Sequence, residues 1–351
     1  MFHIARLVFF AQGPATAALA FVCLLSSAGQ NYPIPQDIQT LLATHRYVEA
    51  EQALQRELLR APDWDVGHLL LAQIYNATGR YEAAERAALA ALRRRESVDS
   101  FLALAIATMH LGRLNESIGW LEKAANRQPY NPEIYKVLGL DYAFGGNLVE
   151  CEKAFRRAAQ LMPQNWEFHY LDGRALYELR LYPESAKVLR RAVELNPQST
   201  RAWTALGQTQ ELLYNPAAAE ASYRKALELC GAQTRECAWP LMQLGFLATR
   251  RKGMREAEQY LRRAIQARPD WAKPHFYLGK TLASLGDPSG AVAELEAAVR
   301  LDDSKSEYHY QLAQFYRRLG ETGKAAQHLA RYEALADRER KRKTPADFGA
   351  P

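Results

Sequence analysis

Four histidines, His68, His169, His275 and His309, stand before short apolar stretches, and histidine is the side chain best suited to metal ligation or proton transfer at neutral pH. A zinc ion needs its ligands about 2 Å away, and a nucleophile needs its base within hydrogen-bond reach. Phe101, Tyr135 and Trp203 stand where these histidines stand in neighbouring stretches. Each is therefore read as a half-buried aromatic-like side chain on its own helix, and helices pack about 8–10 Å apart. No metal, no cofactor and no catalytic group follows from them. No Gly-rich phosphate loop, His-Glu-x-x-His run or Cys-x-x-Cys pair is present either. Two of the four cysteines, Cys230 and Cys237, flank the short segment 231–236. In an oxidising compartment they could close a disulfide, and otherwise they are two thiols. Cys151 falls where alanine or serine recurs and reads as a small buried hydrophobe.

The elements that hold these residues repeat. Segments beginning at Pro132, Thr200 and Ala272 align without gaps, and the register extends to starts at Asn31, Asp65, Val98, Trp166, Ala238 and Ser306. Successive spacings are 34, 33, 34, 34, 34, 38, 34 and 34 residues, the long one holding the Cys230–Cys237 insert. A fixed period of this length marks stacked helical repeats. The eighth place is small from Ala72 through Gly139, Gly173, Gly207, Gly245 and Gly279 to Ala313, and the twentieth is small in every repeat. Small residues at fixed places let paired helices approach closely. Leu71, Leu104, Leu138, Leu206, Leu244, Leu278 and Leu312 fill between them, and Leu121, Phe155, Leu189, Leu261, Leu295 and Leu329 do so from the second helix. Apolar places four, seven, eight and eleven form one helical stripe. Pro62, Pro129, Pro163, Pro197 and Pro269 stop the second helix, and Gly79, Gly112, Gly146 and Gly286 serve the turn inside the pair.

This pattern resembles the tetratricopeptide repeat family. Trp203-x-x-Leu206-Gly207, Ala219, Ala226 and Leu138-Gly139-x-x-Tyr142 stand at that family's spacing, and the match covers residues 31–337. The resemblance implies an all-α chain: an α-α superhelix of about nine helix-turn-helix repeats with a concave groove. Pro33, Pro35 and Asp37 make the first repeat a worn cap, and Tyr332 marks the ninth as terminal.

In the family, places two, five, nine and twelve of the first helix line the groove. Carried over residue by residue, this stripe offers Gln73, Asn76, Leu102, Ile106, Lys136 and Leu140 in the early repeats. Further on it offers Tyr170, Arg174 and Tyr177, then Thr204, Gln208 and Glu211. The last repeats add Met242, Phe246, Phe276, Lys280, Tyr310, Gln314 and Arg317. Two clusters result. Arg174 lies between two phenols, and Lys280 lies among Phe246, Phe276 and Tyr310. Rings anchor a peptide while a cation takes its carboxylate. Both Arg174 and Phe276 lie off the core stripe, so their replacement is expected to weaken a ligand without destabilising the fold.

Net charge is +6, but Arg6 and the run Arg338-Glu339-Arg340-Lys341-Arg342-Lys343 carry most of it. The repeats are near neutral, which excludes a nucleic-acid face. Residues 338–351 read as a basic, disordered tail. No charged residue lies between Leu7 and Gln36, and the most apolar stretch ends at Ser26-Ser27-Ala28. Residues 1–28 therefore read as a cleaved signal peptide, or else as a retained membrane anchor that is the chain's one membrane contact. Either places the repeats outside the cytoplasm, periplasmic or secreted. The expected function is a non-enzymatic scaffold that binds a protein or peptide in its groove. Two alternatives stand beside it: an accessory subunit of an envelope complex docking by its outer surface, and the repeat arm of a glycosyltransferase-like or peptidase-like enzyme.

Overall fold

The computed structural model describes residues 32–231 and 234–343. The segment expected to be a signal or anchor, and residues 344–351, lie outside the described residues. Those described form α-helices and one short 3-10 turn, Arg235–Cys237, with no strand among them.

The described residues divide into two compact units, unit 1 up to Leu195 and unit 2 from Asn196. Unit 1 holds five helix pairs: Gln36–Ala43 and Tyr47–Arg60 (α1, α2), Asp65–Ala77 and Tyr81–Arg94 (α3, α4), Val98–His110 and Leu114–Arg127 (α5, α6), Pro132–Phe144 and Leu148–Leu161 (α7, α8), Trp166–Glu178 and Tyr182–Leu195 (α9, α10). Unit 2 holds four: Thr200–Leu212 and Pro216–Leu229 (α11, α12), Ala238–Arg250 and Met254–Ala267 (α13, α14), Ala272–Ser284 and Pro288–Leu301 (α15, α16), Ser306–Arg318 and Thr322–Lys343 (α17, α18). Eight of the nine first helices begin on the residue at which the sequence period starts its repeat. The first begins later, after Pro35, as its two prolines require.

Each pair turns through three residues, and the middle one has positive φ in every case. Five of these are glycine, including Gly79 and Gly286. His45, Arg180, Tyr214 and Lys252 adopt the same conformation at φ 56–65°, at about 1–2 kcal/mol each. The reversal is thus imposed by the packing of the two helices, with or without glycine.

The packing follows from the small places. A Cβ added to Gly207 would stand 2.6 Å from the Tyr223 ring, and one added to Gly139 2.4 Å from the Phe155 ring. Gly173, Gly245 and Gly279 face Leu189, Leu261 and Leu295 in the same way. At the twentieth place the Ser185 hydroxyl donates to the carbonyl of Gly173 at 2.7 Å, and Ser117 donates to that of Ala105 at 2.8 Å. Small residues there bring the second helix onto the backbone of the first. Gly207→Leu should overpack Tyr223 and cost on the order of 1–3 kcal/mol in denaturant unfolding. A neutral result would mean that α11 and α12 do not meet at this residue.

One boundary needs correcting. The basic run is not a disordered tail from residue 338: α18 is 22 residues long and runs through it to Lys343. Glu, Arg and Lys are good helix formers, and the Ser306 hydroxyl of α17 donates to the Glu339 carboxylate at 3.2 Å, tying the extension down.

Candidate partner-binding site

The fourth-place rings have a common partner that their chemistry explains. Nε2 of His68 lies 2.9 Å from the carbonyl of Pro62, and Nε2 of His169 lies 2.9 Å from that of Pro163. Trp203 Nε1 donates to Pro197 at 2.9 Å, and the Tyr135 hydroxyl donates to Pro129 at 3.1 Å. His275 and His309 reach the carbonyls of Pro269 and Asp303 at 3.4 and 3.3 Å. Each ring points one donor at the carbonyl six residues earlier, in the loop that ends the previous repeat. The loop residue, proline in five of the six cases and Asp303 in the other, leaves that carbonyl without a continuing helix, and the ring satisfies it. The shared property is thus a ring with a donor at its far edge, a sharper requirement than aromatic-like packing. Phe101 lacks the donor and is buried against Trp120, centroids 5.8 Å apart.

In unit 1 the expected cluster lies on α9. Tyr170, Arg174 and Tyr177 are half-buried along one face. The Arg174 guanidinium is 5.3 Å from the Tyr177 ring centroid and 3.5 Å from Glu178 Oε1. Tyr170 packs on Trp166 and Tyr177 on Tyr182, at 6.3 and 5.7 Å between centroids. The cation is thus already engaged by Glu178. Lys136 of the same stripe is buried too, its ammonium 3.1 Å from Glu167 and 3.8 Å from Glu133.

In unit 2 the stripe divides. Phe276 is not a groove residue: it is 2% exposed and belongs to the core with Leu278, Leu282 and Tyr308. Its ring stacks on Tyr308 at 4.7 Å. Tyr308 of the next repeat's first helix covers it. Met242 is buried likewise. No repeat follows that of Tyr310 among the described residues, and Tyr310 stays 39% exposed, resting on Tyr332 at 5.2 Å. Gln208 and Gln314 are half-buried on α11 and α17, and Arg317 is exposed.

Phe246 and Lys280 do meet a shared surface, through residues the sequence reading did not name. Phe246 packs on Tyr277 at 5.2 Å, and Lys280 Nζ lies 5.2 Å from the Phe276 ring centroid. Lys273 Nζ lies 5.7 Å from the Trp239 ring and 6.0 Å from that of Tyr277. Trp239 in turn stacks on Trp271 at 5.1 Å. Trp239 and Lys273 occupy the second place of consecutive repeats, a column the stripe rule already contained. Tyr277 sits at the sixth place, which that rule omits. Nearby, Glu211 accepts from the Tyr223 hydroxyl at 2.6 Å and from Gln243 Nε2 at 2.7 Å. Burial holds the Glu211 carboxyl above its usual range and the Lys273 ammonium below its own, the latter against the pull of Glu211 and Glu307. No group of histidine, cysteine or acidic residues that could hold a metal occurs among the described residues.

A tetratricopeptide repeat family model matches residues 69–132, 137–200, 170–233, 247–305 and 276–339. Among curated proteins none gives a significant match. Of solved structures, the crystal structure of the APC/C hetero-tetramer Cut9-Hcn1 superposes with a TM-score of 0.55 at 17% identity, over 82% of this chain and 56% of that one. The chain therefore spans little more than half the length of that relative. The structure from the functional characterization of Pseudomonas aeruginosa pilF gives 0.53 at 20% identity, over 63% of this chain and 99% of that one. Likeness at these identities speaks to the fold alone. The family windows, by contrast, cover most of the chain in the register set by the small and apolar places, and the chain belongs to the tetratricopeptide repeat family.

Proposed function

We propose that the chain is a non-enzymatic scaffold that holds a protein or peptide partner on the first-helix face of unit 2. Repeats of this family are typically interaction scaffolds, and the repeats account for nearly all the described residues. One observation carries the reading. Lys273 and Lys280 lie over the rings of Trp239, Tyr277 and Phe276, and neither ammonium makes a hydrogen bond or ion pair among the described residues. Most other cations of the repeats are bridged to a carboxylate. An ammonium has three donors, and here the rings position it without using them. A partner's carboxylate or main-chain carbonyl would complete them, while Phe246 and Tyr310 offer apolar contact. Export is part of the same proposal. It is supported by the uncharged run before Gly29 and by the bonded cysteines of unit 2.

The test places a photoreactive phenylalanine analogue at Tyr310 and crosslinks in intact cells. A discrete protein adduct is expected, and Lys273→Glu with Lys280→Glu should abolish it. In a binding assay with the partner so named, each single change to alanine should weaken binding by about 1.5–3 kcal/mol. Unaltered adducts in the double variant would remove this face from consideration.

A further inference from the structure

A second feature lies in unit 1, away from the ring-held lysines. The seventh place of the repeat is leucine in repeats two to four and six to nine, and aspartate in repeat five. That residue, Asp172 on α9, is 4% exposed, and its Oδ1 has no hydrogen-bond partner among the described residues. A buried polar atom without a partner is costly. What faces it adds to the cost. Across the junction, α8 presents Cys151, fully buried, and Glu152, 8% exposed and bridged to Arg156 at 3.1 Å. From the other side α10 presents Ser185 and Leu189, which contact the adjoining Gly173. The nearest cation on α7, Lys136, is taken up by Glu133 and Glu167. Asp172 thus meets one carboxylate, one thiol and one largely solvated guanidinium.

Burial first, and Glu152 second, push the Asp172 carboxyl up to about 7, with Arg156 opposing. Burial likewise pushes the Cys151 thiol up to about 12, so it stays protonated. The direction of the linkage is fixed. The carboxyl is raised in the closed junction above its ordinary value near 4. Its favourable contribution is complete below about pH 4 and is lost as pH rises through the closed-state value of about 7.

We propose that Asp172 makes the junction of α8 and α9 a pH-gated weak link, closed while this carboxyl is protonated and loosened once it ionises beside Glu152. The device sits under Tyr170, Arg174 and Tyr177, which ride on the same helix, so opening the junction displaces that face whether or not it binds a partner.

Hydrogen exchange on the full chain tests this across pH 5 to 8. Protection factors of amides in α8 and α9 should fall by up to about tenfold per pH unit until Asp172 is fully ionised. Those of α3 and α4 should not follow. In Asp172→Leu, which restores the residue of repeats two to four and six to nine, the fall in α8 and α9 should vanish. Asp172→Asn keeps the shape without the charge and should give the same flat profile, so a folding defect in one variant does not end the test. Asp141, a second buried carboxyl raised to about 6, lies on α7 against Ser117 of α6 and should leave its own dependence there in both variants. A wild-type profile without a fall, or one that persists unchanged in both variants, overturns the proposal.

Discussion

Phe276→Ala is expected to lower the stability of unit 2 by about 3–5 kcal/mol, the range for removing a buried phenyl ring. The ring is 2% exposed and stacks on Tyr308, with Tyr277 at its edge 5.5 Å away. Lys280 rests its ammonium on the same ring. Removing it leaves a cavity among Leu278, Leu282 and Tyr308, and a half-buried cation without its support. Urea unfolding followed by the fluorescence of Trp239 and Trp271, which stack within the same unit, would read the loss directly. Unit 1 can unfold in a separate transition, so the analysis must not assume a single one. Phe276→Leu keeps part of the volume and should cost much less. A loss below about 1 kcal/mol for the alanine variant would mean that the ring is not packed as described. The result also governs binding work. A variant that empties the core cannot report on a surface, and Lys273 or Lys280 is the better probe.

That correction shows where the sequence was readable and where it was not. The period placed the first helix of eight repeats to the residue, because Gly207, Gly139 and their equivalents tolerate nothing larger opposite Tyr223 and Phe155. Close approach leaves its mark on every repeat, so self-comparison finds it. The groove is different. Whether a fifth-place side chain is exposed depends on what the following repeat sets against it, as Phe276 under Tyr308 and the half-exposed Tyr310 show. That relation spans two repeats and is invisible to a rule applied within one. The hydrogen bond from the fourth-place ring to the loop carbonyl had a signal of its own. His, Tyr and Trp stand at that place after a proline-containing loop, and all three carry a donor at the far edge of the ring. Asp172 was legible too, as the break in a column of leucines that runs from repeat two to repeat nine. Its consequence was not, because the acid facing it comes from the preceding repeat's second helix.

Removing the Cys230–Cys237 bond, by reduction or by Cys230→Ala with Cys237→Ala, should destabilise unit 2 by about 2–4 kcal/mol. The two cysteines are bonded, with Cα atoms 5.7 Å apart. They bracket the only lengthening of the 34-residue period. Cys230 follows the last turn of α12, and Cys237 closes the 3-10 turn that leads into α13. In the unfolded chain the bond closes a short loop, and the lost loop entropy alone is worth about 2–3 kcal/mol. In the folded chain both sulfur-bearing residues sit in the core of unit 2 with Leu241 and Leu261. Truncation to alanine therefore adds a small packing loss to the entropic one. Because each repeat contacts mainly its neighbours, the unfolding of α1 to α4 should not change. Mass mapping of the non-reduced protein should recover the peptides containing Cys230 and Cys237 joined, while Cys151, fully buried, stays a free thiol. Alkylation of both Cys230 and Cys237 without reductant would show two thiols instead. It would leave the insert between α12 and α13 an unbraced loop and remove one of the two supports for export.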